Sequence, residues 1–79
     1  MPYFEFIWTE EIVEHLAEHG VATDDFEQAV SRPTRVGISR SSGRPCCWGE
    51  TVDGRRLFCV YEQLDDGTII PVTAYELPD

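Results

Sequence analysis

The stretch RSSGRPCCWGETVDGRR, residues 40–56, gathers four of the six arginines of a chain whose formal charge is −9. A guanidinium is a planar fork of donors suited to carboxylate and phosphate, and an indole offers a flat face for stacking. Arg40, Arg44, Trp48, Arg55, Arg56 and, further on, Tyr75 therefore form the set with the clearest chemical use. Arginines beside stackable rings on an open sheet suit single-stranded RNA, the cations holding phosphates and the rings lying under bases. Metal-independent RNA cleavage asks little more of a protein. The ribose 2′-OH is the nucleophile, and the chain supplies a proton donor or acceptor and a cation for the developing charge. The plainer alternative is that Trp48 fills the core and the arginines offset the chain's own acids.

Other chemistries find less support. Cys46, Cys47 and Cys59 make an odd set with no CxxC spacing, and adjacent residues of a strand point to opposite faces, so small buried side chains are expected. His15-Leu16-Ala17-Glu18-His19 matches the H-x-x-E-H arrangement of inverted zincins. A peptidase of that kind needs a third protein ligand and a larger body, whereas a histidine beside Gly20 suits the carbonyl end of a helix. The turn SSGR has one glycine and lies between strands, so it does not resemble a phosphate-binding loop. The remaining carboxylates sit in first turns of helices and in tight turns, where they have structural reasons to occur. No cofactor and no metal is implied.

Charge is segregated along the chain. Residues 1–31 carry eight acids and no base, residues 32–56 carry six arginines against Glu50 and Asp53, and residues 57–79 carry five acids and no base. The chain has no lysine. A net charge of −9 disfavours generic nucleic-acid affinity, so any phosphate contact must be local to the arginine segment. With 79 residues there is room for one hydrophobic core and a single domain, 1–79. No apolar run nears the roughly 18 residues of a membrane span, and MPYFEF lacks a basic leader, so a cytoplasmic protein without membrane contact is expected.

The elements that must position these residues follow from periodicity. Thr9 before Glu10 and Glu11, then Ile12, Val13, Leu16 and Ala17 at helical spacing, predict a helix over 10–19 that ends at Gly20. Thr23-Asp24-Asp25 starts a second helix with Phe26, Ala29 and Val30 inward and Pro33 as its stop. FEFIW alternates and reads as a short strand or an extended lead-in. From Thr34 the period becomes two, and strands are expected over 35–40, 45–52, 55–63 and 68–76. The expected fold is α+β: two N-terminal helices packed on a four-stranded antiparallel sheet. Two-residue loops at Asp53-Gly54 and Asp66-Gly67 would set Trp48 opposite Cys59, Glu50 opposite Leu57, Val72 opposite Tyr61 and Tyr75 opposite Phe58. Cys46, Trp48, Leu57, Cys59, Tyr61, Ile70, Val72 and Ala74 would then meet the helices. Cys47, Thr51, Arg56, Phe58, Val60, Thr73 and Tyr75 would form the other, partly open face.

FIWTEE, then EHGVATDDFEQAV, then GETVDGRRLFCVYEQLDDGTIIPVTAYE resemble, in order and spacing, the BrnT family, RelE-fold ribonuclease toxins of bacterial type II toxin–antitoxin systems. FIWTEE followed by EHGVATDDFEQAV is similar to the family's opening, an aromatic lead-in and a helix ending in His-Gly-Val before a second, acid-capped helix. GETVDGRRLFCVYEQLDDGTIIPVTAYE is similar to its strand pair, and the likeness spans about residues 4–76. The resemblance places the arginine that opens the family's second strand on Arg44. It places the arginine of the Ser-Ala-Arg-like string on Tyr75, within Thr73-Ala74-Tyr75, and the preceding basic position on Ile70.

Two functions follow. One is a toxin-like endoribonuclease in which Arg44, Arg56 and Tyr75 are catalytic and Arg40, Arg55 and Trp48 hold RNA, with an antitoxin as protein partner. The other is a catalytically inactive protein of the same fold that binds a protein or associates with itself as a homo-oligomer.

Overall fold

The computed structural model describes residues 4–78. Along the chain run β1 (Glu5–Phe6), α1 (Glu10–Glu18), α2 (Thr23–Ser31), β2 (Arg35–Ile38), β3 (Pro45–Glu50), β4 (Arg56–Gln63) and β5 (Thr68–Glu76). The strands form one sheet in the order β1-β5-β4-β3-β2. The α+β class is as expected, but the sheet has five strands and is mixed. The lead-in adds β1 parallel to β5, with Glu5 beside Thr68 and Phe6 beside Ile69. Phe6 is half-buried against the core, and Trp8 meets Phe26 edge-on at 5.5 Å while its indole N–H donates to Glu27 at 2.7 Å. Burial of these rings holds the lead-in down as a strand.

Both helices pack on one face. Thr9 caps α1, its hydroxyl accepting from the Ile12 amide at 3.2 Å, and Leu16 is fully buried. Asp25 in the first turn of α2 accepts from the Ala22 amide at 3.2 Å, and Phe26, Ala29 and Val30 face inward as their spacing predicts. Against them lie Cys47, Leu57, Cys59, Tyr61, Ile69 and Ala74. Gly49 makes the close approach of α2 to β3 feasible, since a Cβ there would stand 2.7 Å from the Ala29 carbonyl oxygen and 2.8 Å from its Cα.

The register of the sheet departs from expectation for an identifiable reason. Thr51 and Arg55 close the β3–β4 hairpin around a three-residue loop, with the Thr51 amide donating to the Arg55 carbonyl at 2.7 Å and Gly54 at φ +92. This is a three-residue hairpin with glycine at its left-handed position. The Thr51 hydroxyl selects it, accepting from the Arg55 amide at 2.8 Å while donating to the Asp53 carboxylate. The added loop residue shifts β3 by one, so that Cys47 pairs with Cys59 and Trp48 with Phe58. Cys46 and Trp48, expected inward, lie on the face away from the helices, while Cys47 and Thr51, expected outward, are buried.

The β4–β5 loop is also one residue longer than expected. The Leu64 amide donates to the Thr68 carbonyl, and the Asp65 carboxylate accepts from the amides of Gly67 at 2.8 Å and Thr68 at 2.9 Å. Near this loop Ile69 and Pro71 point inward and Ile70 outward, and Tyr61 pairs with Pro71 instead of Val72. An irregularity between Val60 and Tyr61 then restores the expected register, and Tyr75 does lie opposite Phe58. Thr73, expected on the open face, is half-buried and its hydroxyl lies 3.0 Å from Nε2 of His15 on α1.

Candidate nucleic-acid interface

The sheet face opposite the helices carries a row that crosses four strands. Arg35 on β2 pairs with Trp48 on β3, Trp48 with Phe58 on β4, and Phe58 with Tyr75 on β5. The side chains follow the backbone. The Arg35 guanidinium lies 5.1 Å from the Trp48 ring centroid, Trp48 and Phe58 are 5.1 Å apart, and Phe58 and Tyr75 are 5.3 Å apart. Cross-strand aromatic pairs of this kind stabilise a sheet by about 0.2–1 kcal/mol each, so the row has a structural role as well as a stackable surface. Trp48 and Phe58 are partly buried, and Tyr75 is 43% exposed.

Gly37 shapes one end of the row. A Cβ at this position would meet the six-membered ring of Trp48 at 3.3 Å, so the indole lies across β2 where a side chain is missing. Two grooves flank Trp48. One, of about 450 Å3, includes Arg35, Gly37, Ser39, Arg40 and Phe58 in its lining; the other, of about 440 Å3, includes Thr34, Glu50, Arg56 and Leu77. Their size is that of a small-ligand cleft.

The expected site residues fall into three groups. Trp48, Arg56 and Tyr75 come together around Phe58. The Leu77 amide donates to the Arg56 carbonyl at 2.8 Å, which makes Tyr75 a diagonal neighbour of Arg56 at roughly 7–8 Å. Arg56 also points a guanidinium nitrogen at the Pro78 carbonyl, 3.4 Å away. Arg44 stands apart, paired at 3.0 Å with Glu62, and both groups are exposed. Glu62 lies six residues along β4 from Arg56, about 20 Å at strand spacing, so the three expected catalytic residues do not converge. Arg40 is exposed in the turn before β3 and lines the groove with Arg35.

Arg55 belongs to a different structure. Its guanidinium is paired with Asp53 at 3.1 Å, Glu76 at 3.0 Å and Asp25 at 3.4 Å, and donates to the Gly20 carbonyl at 3.3 Å. It ties the β3–β4 hairpin to β5 and to the start of α2. The hydrogen bonds from Thr51 and Arg55 hold the Asp53 carboxyl below its ordinary range, and the bonds to Asp53 and Glu76 raise Arg55.

The other candidate chemistries resolve locally. The rings of His15 and His19 meet edge-on at 5.1 Å, and among the described residues no group of three His, Cys, Asp or Glu is placed to hold a metal ion. The three cysteines are free and buried. Burial raises the Cys46 thiol, and the hydrogen bond to Cys47 together with burial raises Cys59 far above the ordinary thiol range. No helix among the described residues is long and apolar enough to cross a membrane.

Sequence reasoning missed Arg35 and the continuity of the row through Phe58. The signal that would have found them is loop length, because one residue in the Thr51–Arg55 loop decides whether Trp48 joins Phe58 or the core. Comparison of the chain with protein-family models, with curated proteins and with solved structures returns no match.

Proposed function

We propose that this protein engages single-stranded RNA on its uncovered sheet face, as a RelE-like, toxin-type domain of the BrnT kind, and cleaves it without a metal. The observation that carries the reading is the Arg35–Trp48–Phe58–Tyr75 row, which offers successive stacking faces beside cations. Support for the family part comes from the two helices preceding an antiparallel meander, in the order the resemblance implies. In this reading Trp48 and Phe58 carry bases, and Arg56 holds the scissile phosphate next to Tyr75. The ribose 2′-oxygen attacks phosphorus and its proton leaves to solvent. The phosphorus bond to the 5′-oxygen breaks as the Tyr75 hydroxyl protonates that oxygen, leaving a cyclic phosphate, and Arg56 offsets the charge built up on the way. Tyr75 is restored by taking a proton from water. Arg40 and Arg44 contact phosphates further along the strand. Arg55 is left to hold the hairpin.

The test is incubation of the purified protein with a labelled single-stranded RNA in the presence of a chelator. Arg56→Ala and Tyr75→Phe should each lower the cleavage rate by about a hundredfold, in the range for loss of one proton-transfer or charge-stabilising group. Wild-type cleavage in both variants would remove them from the site.

A second reading, a non-catalytic protein of the same fold that binds a protein partner or associates with itself, draws on the distance between Arg44 and the Arg56–Tyr75 pair. Self-association or capture of a protein partner by a chain that leaves RNA intact would favour it. Growth arrest on overexpression, relieved by the product of an adjacent gene, would speak for the toxin.

A further inference from the structure

β2 is the outermost strand on its side of the sheet, and its outer edge is unpaired among the described residues. The Ser39 amide donates to the Arg44 carbonyl at 2.8 Å, which fixes the alternation along the β2–β3 pair. Residues 35, 37 and 39 are the hydrogen-bonded ones. Val36 and Ile38 therefore direct their N–H and C=O groups away from β3, where no group among the described residues meets them. Their side chains are each 65% exposed, on the helix side of the sheet but beyond the cover of α1 and α2. The opposite edge is managed differently. There β1 pairs with the start of β5, Pro71 lacks a donor, and His15 lies against Thr73. Such devices blunt an edge against pairing, and β2 has only its shortness and its charge.

That charge identifies the occupant. Arg32, Arg35 and Arg40 flank β2, and among the described residues none has a carboxylate within 4 Å, whereas Arg44 and Arg55 are both paired. This is a cationic margin on a chain of charge −9. A second copy fits it poorly. Twofold pairing of β2 about Gly37 would set each Val36 beside the other Ile38 and crowd the arginines of both copies onto one ribbon, which like-charge repulsion opposes. We infer that β2 accepts an extended acidic segment of a partner protein as a sixth strand. Its apolar residues lie against Val36 and Ile38, and its carboxylates lie on the alternate side near Arg35, with others reaching Arg40. Backbone hydrogen bonds supply the affinity and the period-two pattern supplies the selectivity. The unpaired backbone edge is distinct from the aromatic row, whereas Arg35 and Arg40 are shared with the proposed RNA face, so the Val36 and Ile38 amides are the readout that separates the two readings.

The experiment uses the full chain and two synthetic peptides, (Glu-Val)4 and (Lys-Val)4, with amide exchange followed residue by residue. The acidic peptide should slow exchange of the Val36 and Ile38 amides by about tenfold or more, and the basic one should leave them unchanged. Arg40→Glu, an exposed turn substitution, should weaken (Glu-Val)4 by about tenfold while leaving the exchange of core amides intact. Absence of protection at Val36 and Ile38, or equal protection by both peptides, would overturn the inference. So would protection that rises with protein concentration alone, which would make the occupant a second copy.

Discussion

Trp48 reaches the open face because Thr51 closes a three-residue loop, and it lies flat there because residue 37 is glycine. Its partly buried ring stands between Arg35 and Phe58 on that face. Trp48→Ala should weaken single-stranded RNA binding by about 1–3 kcal/mol, read by fluorescence anisotropy of a labelled oligonucleotide, with cooperative unfolding retained. Asp25 shows how a residue that looks like a helix-start acid does a second job. It is 8% exposed and accepts from the amides of Ala22 and Val52 while meeting Arg55. Asp25→Ala leaves two amides without their acceptor and should cost about 1–3 kcal/mol in urea unfolding. A cost indistinguishable from zero would show that water replaces these bonds.

At the level of elements, the two hairpins decide the site. Asp53 and Asp65 are both held below the ordinary carboxylate range, Asp53 chiefly by the Thr51 hydroxyl and Asp65 chiefly by the Gly67 amide. A depressed carboxyl contributes stability that is present above its unfolded pKa of about 3.9 and is lost as pH falls through the folded value. Acidification from about pH 4 downward should therefore loosen the Gly67 and Thr68 amides, seen as lower protection relative to the intrinsic exchange rate at the same pH than at neutral pH. Gly49 governs the other contact that matters. Gly49→Ala drives a methyl into the Ala29 backbone and should destabilise the domain by about 1–3 kcal/mol or more, measured by chemical denaturation.

These same elements mark what was legible in the sequence. Phe26, Ala29 and Val30 announced their helix face, and the change of period at Thr34 announced the meander, because both are set by burial of one face. The fifth strand was less visible, since two residues of lead-in carry almost no pattern and are held by Trp8 and Phe6 against Phe26. The faces of β3 were misread for a single reason. Asp-Gly is compatible with loops of two or three residues, and a side-chain hydroxyl at Thr51 chose between them. Tyr75 was placed correctly opposite Phe58 only because the irregularity at Val60 and Tyr61 cancelled a similar error in the next loop.

Over the whole molecule, the fold turns a charge order along the chain into a charge order in space. The acidic stretch 10–31 holds both helices, while Arg35 and Arg56 lie with the aromatic row on the other face of the sheet and Arg44 stands further along it, paired with Glu62. A chain of −9 then binds a polyanion only through a local patch, and the affinity should fall with salt. Three arginine–phosphate contacts on a single strand give a slope of log K against log salt of about −2. The most direct measurement of the central claim is residue-by-residue NMR mapping of a single-stranded RNA oligonucleotide on the intact protein. The resonances of Arg35, Trp48, Arg56, Phe58 and Tyr75 should shift together while those of α1 and α2 stay in place. Shifts confined to the helical layer, or none at RNA concentrations well above the protein's, would contradict the account.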